Sequence, residues 1–196
     1  MNLRSPADPE SSLAVGYDAI FSIAMPINTD ALHKKLEEKF GARSGSGYLW
    51  SRYPDGRVVC RFPYALDGTR PVQALALDDK AMIRARVNIT KKNQNGKRRS
   101  WPLHDKKPRR EWLERRGLEH GFSVGPMAII VEKDDINHKG KQFWIDATEF
   151  TGWLTVTDAE KFNRVLATGL SARRAWGFGL IEVLERQSPP QVTQLR

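Results

Sequence analysis

One cysteine among 196 residues excludes a disulfide framework and any zinc site built on cysteine. That residue, Cys60, sits in the strand-like run RVVCRF, where a buried structural thiol is expected. No apolar run approaches the roughly 20 residues that a membrane helix requires, and the opening MNLRSPADPESS lacks the apolar stretch of a secretory leader. The expectation is a soluble, cytoplasmic protein with no membrane association. Glycines cluster near residue 175, but neither the Gly-Lys-Ser/Thr ending of a phosphate loop nor G-x-G-x-x-G spacing occurs. The Lys/Arg-Gly-Phe/Tyr strand motif of common single-strand RNA-binding modules is absent as well. Histidine is scarce, at four.

What is present begins with size and charge. With 40% hydrophobic residues, the chain can fill one sizeable core or two abutting domains of roughly 80 to 110 residues each. The formal charge is +9, and its distribution matters more than its size. From Arg84 to Arg116 there are 13 Lys and Arg against 3 acids, so this stretch exceeds the whole chain's surplus. Positive charge held in one place is the footprint of a polyanion, because each neutralised phosphate releases condensed counterions. A nucleic-acid partner is expected.

Residues 1–14 and 187–196 are polar and proline-containing, and they read as tails. Between them the second half parses readily. AMIRARVNIT alternates as a strand, and the basic excursion KKNQNGKRRSWPLHDKK follows as a loop or hairpin. Pro108 starts a helix with Trp112, Leu113 and Arg116 close together, for which Gly117 and Gly121 offer stops. FSVGPMAIIVEK and KQFWIDATEFTGWLTVT are strands joined through the turn-rich DDINHKGK, Asp158 caps the helix AEKFNRVLATG, and WGFGLIEVL closes as a strand. This is the βαββαβ order of a ferredoxin-like unit. The first half repeats it less completely: strand GYDAIFSIAMPI, a helix with Leu32, Leu36 and Phe40 inward, a hairpin around Pro-Asp-Gly, and a remnant in RPVQALALDD. The fold class is therefore α+β, two tandem ferredoxin-like units at residues 15–78 and 79–186.

The most distinctive segment is GLSARRAWGFGL, residues 169–180. Gly169, Gly177 and Gly179 allow close backbone approach, while Ser171, Arg173 and Arg174 supply donors, so the loop can grip phosphates. A basic Gly-rich loop just before the last strand of a second ferredoxin-like unit resembles the signature loop of the CRISPR repeat-processing endoribonucleases, and the similarity is strongest to their CasE branch. RARVNITK, RRSWPLHDKKPRREWL and GKQFWIDATEFTGWLTVTD agree with it in consistent order across residues 80–185.

The resemblance implies two ferredoxin-like folds cradling a repeat RNA stem-loop, with a histidine on the first helix serving cleavage. D-A-L-H places His33 at that position. The family carries a tyrosine three residues earlier, where this chain has Asp30, so Asp30 either orients and charges His33 or marks a different arrangement. The implied reaction is attack by the RNA's own 2′-hydroxyl on the adjacent phosphate, leaving a 2′,3′-cyclic phosphate, with no metal or cofactor. It needs a base, an acid and cations for the phosphorane. Histidine suits either proton role.

His104 and His138, in polar loops, rank below His33 as RNA or phosphate contacts, and His120 suits the negative end of its helix. Lys139 and Lys141 flank the turn that in the family approaches the cleavage site. Arg84, Arg86, Lys91, Lys92, Lys97, Arg98 and Arg99 fit a strand and loop that track an RNA duplex, whose recognition leans on shape and phosphates. Trp101 and Trp176 stack on unpaired bases or pack in the core. Implied partners are the CRISPR repeat RNA and other effector-complex subunits. The competing readings are a guide-RNA-holding subunit that does not cut, a generic RNA-binding module, and a nuclease holding Mg²⁺ through Asp134 with Asp135 or Asp78 with Asp79, against which solvated turn carboxylates are the simpler reading.

Overall fold

Asn28 starts the first helix, accepting from the Ala31 amide at 2.7 Å, and Gly41 ends it in the left-handed conformation. Between these caps runs α1 (Thr29–Phe40), which buries Leu32 and Leu36 against Trp50, Val58, Cys60 and Phe62. Those partners lie on an antiparallel sheet of β1 (Ala14–Ser22), β2 (Leu49–Arg52), β3 (Arg57–Phe62) and β4 (Arg70–Gln73), in the order β2-β3-β1-β4. The computed structural model describes residues 14–24, 27–41, 47–92, 95, 98–138, 141–171 and 173–189. The 1–13 stretch, the last seven residues, Lys97 and Lys139 lie outside the described residues.

The second sheet contains β5 (Lys80–Val87), β8 (Phe122–His138), β9 (Lys141–Val156) and β10 (Ile181–Gln187), ordered β10-β5-β9-β8. Helices α2 (Lys107–His120) and α3 (Ala159–Thr168) cover one face, burying Trp112, Leu113, Phe162, Val165 and Leu166 against Ile83, Ala85, Val87 and Phe150. Each sheet has the strand order of a ferredoxin-like unit, as expected. The first unit holds only α1 before its remnant strand β4. Between β5 and α2 a short ribbon projects, β6 (Lys91–Lys92) against β7 (Arg98–Arg99). Among the described residues no helix is long and apolar enough to cross a membrane.

Three expectations are corrected. Gly117 does not stop α2: it lies inside the helix because a Cβ there would meet the Phe122 carbonyl oxygen at 2.3 Å, and Gly121 is the cap. DDINH is strand rather than turn, since pairing continues from Asp134↔Ile145 to His138↔Lys141. The charges of the run hid an alternation in which Asp134 and Ile136 point inward and Asp135 outward. Asp134 and Asp79 are accordingly buried rather than solvated, with Asp79 paired to Arg186 at 2.8 Å. Cys60 is fully buried and burial pushes its thiol pKa up, so it is an inert core thiol.

The two units meet through buried arginines. Arg61 of β3 reaches both oxygens of Asp18 and donates to the carbonyls of Leu166 and Ile181 in the second unit. Asp134 of β8 accepts from Thr29 at the start of α1, from Arg52 of β2 and from Arg86 of β5, each at 2.9 Å. This carboxylate therefore fixes the N-terminus of α1 against the long β8–β9 hairpin.

Candidate functional site

With Thr29 pinned to Asp134, the first turn of α1 faces the far end of the hairpin. Asp30 and His33 stand three residues apart, one helical turn, and so share that side. Asp30 is buried, and it turns to His138 rather than to His33: Oδ1 lies 2.8 Å from His138 Nδ1 and Oδ2 lies 3.0 Å from Lys34 Nζ. Burial alone would raise the Asp30 pKa, but the bonds from His138 and Lys34 outweigh it and hold the carboxyl below its ordinary range. The expectation that Asp30 orients His33 is thus corrected. The carboxylate of Glu37, one turn on, lies 3.5 Å from His33 Nε2.

Both imidazoles lean on Trp176. The ring centroid of His33 lies 5.4 Å from that of the indole, His138 lies 5.0 Å away and Phe143 6.2 Å away, the last two nearly perpendicular to it. Trp176 belongs to the Gly-rich loop, where Arg174–Trp176 form a single 3-10 turn between left-handed Arg173 and Gly177. The loop is tied down at several points. Trp50 Nε1 donates to the Ala175 carbonyl at 3.2 Å, the Gly179 amide to the Arg86 carbonyl at 2.7 Å, and the Leu170 amide to the Gly179 carbonyl at 2.8 Å. The site is thus assembled from α1 of one unit and from the hairpin end and Gly-rich loop of the other.

Gly177 shows how tightly the loop is seated: a Cβ there would stand 2.7 Å from the Trp50 ring, at a φ of +80°. Gly177→Ala is expected to destabilise the fold by about 2–4 kcal/mol, combining overpacking with left-handed strain. Gly41→Ala, with a φ of +63° but open space around it, should cost only the strain, about 1–2 kcal/mol. Denaturant midpoints of the two variants check the difference.

The other candidates divide. Arg84 and Arg86 are corrected most sharply, because both are buried and engaged within the protein. Arg84 bonds Glu149 at 2.6 Å, Glu182 at 2.8 Å, Ser51 and the Arg52 carbonyl, and lies over the Tyr53 ring. Arg86 bonds Asp134 and sits over Phe178. Their alternation in β5 sends them into the seam between the units, where burial demands carboxylate partners. Arg109, Arg110 and Arg116 are likewise paired, with Asp146, Glu114 and Glu119.

What remains of the basic stretch centres on the ribbon, whose backbone sets Lys91 opposite Arg99 and Lys92 opposite Arg98. Lys141 is exposed at the hairpin end. Arg173 is exposed too, and with Asn88, Thr90, Phe143, Trp144 and Asp146 it lines a cleft of about 480 Å³ between ribbon and hairpin. Arg174 instead bonds the Thr168 carbonyl at 2.6 Å, clamping the loop. Gly169 and Gly179 serve the loop's folding, and Ser171 backs on to Gly179. His104 is exposed before α2, and Trp101 packs against the second unit's core. His120 is partly buried at the C-terminal end of α2, where burial and Arg116 lower its pKa.

Sequence reasoning undervalued His138 and passed over Phe143 and Trp144. The signal was available in the alternation that continues through Asp134 and Ile136, which carries the strand out to His138. The Mg²⁺ pairs do not converge: both Asp134 oxygens are taken by Thr29, Arg52 and Arg86, and Asp135 points the other way. Among the described residues no three His, Cys, Asp or Glu side chains come together in a cluster suited to a metal ion.

Comparison with solved structures finds the same architecture. A CRISPR endoribonuclease Cse3 bound to 19-nucleotide RNA matches 86% of this chain and all of its own, at 22% identity and a TM-score of 0.69. Thermus thermophilus Cse3 bound to an RNA representing a pre-cleavage complex matches 87% of this chain and 99% of its own, at 21% identity and a TM-score of 0.66. The CRISPR-associated protein Cas6e of Escherichia coli K-12 matches 85% and 98%, at 22% identity and a TM-score of 0.61. No sequence relative was found among curated proteins. The family model described as CRISPR associated protein matches residues 61–184, well over half of the sequence, and the chain belongs to that family.

Proposed function

We propose that this chain is the endoribonuclease that matures CRISPR RNA, binding the repeat stem-loop of the precursor and cutting at the foot of the stem. The 2′-hydroxyl attacks the adjacent phosphate without metal, leaving a 2′,3′-cyclic phosphate and a free 5′-hydroxyl. The observation that carries this reading is His33, held on α1 against the Gly-rich loop of the second unit. A histidine there can exchange a proton with RNA lying across the junction of the two units. The paired basic positions of the ribbon supply charge for the duplex, and Arg173 and Lys141 flank the route from ribbon to histidine. The fold likeness to RNA-bound Cse3 supports RNA as the ligand, and the likeness to a chain of a CRISPR RNA-guided surveillance complex, at a TM-score of 0.61, supports association with effector-complex subunits.

A second reading, a guide-RNA-holding subunit that does not cut, draws on Asp30 standing where the family carries tyrosine. One experiment separates the two. Purified protein is incubated with repeat RNA in EDTA, alongside the same RNA carrying a single 2′-deoxy substitution upstream of the cut. Cleavage of the first and not the second is the expected outcome; RNA that is bound but intact in both would establish the non-cutting subunit.

A further inference from the structure

The reaction proposed above needs an acid as well as a base, and only one of them is assigned. Resting on that reading, we propose that His138 is the general acid that protonates the leaving 5′-oxygen, that Asp30 is its positioning residue, and that His33 takes the proton of the 2′-hydroxyl.

The argument starts from Asp30. Its carboxyl is buried and ionised, and an ionised carboxylate only accepts hydrogen bonds. The 2.8 Å contact therefore requires His138 Nδ1 to be the donor. That fixes the tautomer and leaves Nε2 as the reactive nitrogen. Among the described residues nothing bonds Nε2, and the side chain of His138 is 33% exposed, so a ligand can reach it. A general acid must carry its extra proton before the reaction begins, and a buried carboxylate behind the ring compensates the charge of that imidazolium. The bond to Asp30 gives His138 the fixed orientation and free Nε2 that a donor to the leaving oxygen needs, and the proton of the 2′-hydroxyl falls to the other imidazole on Trp176, His33.

Trp176 packs against both rings, His33 at 5.4 Å and His138 at 5.0 Å, so two imidazoles from different units stand at one place, one for the attacking and one for the leaving oxygen. Atoms balance in the step. The O2′–H bond breaks toward His33, O2′ bonds phosphorus, the phosphorus–O5′ bond breaks, and O5′ takes the proton of His138 Nε2. Proton exchange with water restores both rings.

Among the described residues, the charged and titratable groups around His138 are Asp30 and Lys34 of α1, His33 across Trp176, Lys141 opposite it on β9, and Asp134 and Asp135 on its own strand. Of these, the contacts single out Asp30 as the group bonded to the ring.

The test uses the full chain and the repeat stem-loop identified by sequencing the RNA that copurifies with it, under single-turnover conditions with RNA affinity measured in parallel. His138→Ala is expected to slow cleavage about a hundredfold with affinity changed less than threefold. On an RNA whose leaving 5′-oxygen is replaced by sulfur, which departs without an acid, the same variant is expected to cleave at the wild-type rate, while His33→Ala stays slow. Asp30→Asn should slow cleavage roughly tenfold with RNA affinity unchanged, and Asp30→Glu should restore part of the rate. His138→Ala cutting ordinary RNA at the wild-type rate, or gaining nothing from the sulfur substrate, would overturn the assignment while leaving the proposed function intact. Failure of the wild-type protein to cut would take both down.

Discussion

Replacing His33 with alanine is expected to slow cleavage of repeat RNA at least about a hundredfold while leaving RNA affinity within a few-fold of wild type. A hundredfold loss corresponds to about 2.7 kcal/mol of transition-state stabilisation. The separation of rate from affinity follows from position. His33 lies on α1 against Trp176, whereas the paired basic positions are on a different element, the ribbon. Its side chain is only 14% exposed, so the change also removes a ring from the Trp176 cluster. His33→Gln, which keeps bulk and a polar end, separates the two effects: both variants should be slow, and only the alanine should lose measurable thermal stability. Cleavage at the wild-type rate by either variant would remove His33 from the chemistry.

The second large effect concerns Asp134. Asp134→Ala is expected to destabilise the protein by about 3–5 kcal/mol, because it leaves Arg52 and Arg86 facing each other without the carboxylate they share. Arg86 is the more exposed to this loss. Burial, the largest influence on it, already lowers its pKa against the support of Asp134, and its NH1 nitrogen is buried with no hydrogen-bond partner among the described residues. For a chain of this size the melting temperature should fall by roughly 10 °C. The variant should also lose cleavage at temperatures where it is still folded, since Thr29 and the start of α1 lose their anchor on β8. Thermal melts and single-turnover rates at low temperature measure the two consequences. A melting temperature within a degree or two of wild type would mean that the bridge does not hold the units together.

Both predictions concern residues that local sequence reads unequally well. The position of His33 was legible: the Leu32 and Leu36 stripe marks an amphipathic helix, and D-A-L-H on it matched the resemblance. Asp134 was not. A carboxylate in DDINH has the composition of a turn, and only pairing with β9 makes it an inward-facing strand position. Arg84 and Arg86 were misread for the related reason that a guanidinium in a basic stretch looks like a phosphate ligand. Strand alternation gives their direction, but whether that direction leads to solvent or to Glu149, Glu182 and Asp134 depends on strands more than 40 residues away.

By itself, then, the sequence determined the two-unit α+β order, the apolar stripe of α1, the Asp158 cap of α3, the Gly-rich loop and the concentration of charge near the ribbon. Each of these rests on interactions between residues close along the chain, where periodicity and capping chemistry act. The tertiary structure alone decided which cations are used up inside the protein, that Asp30 belongs to His138 rather than to His33, and that two imidazoles from different units meet on Trp176. Those are contacts between segments roughly 40 to 140 residues apart, and no local pattern records which partner a buried charge will find.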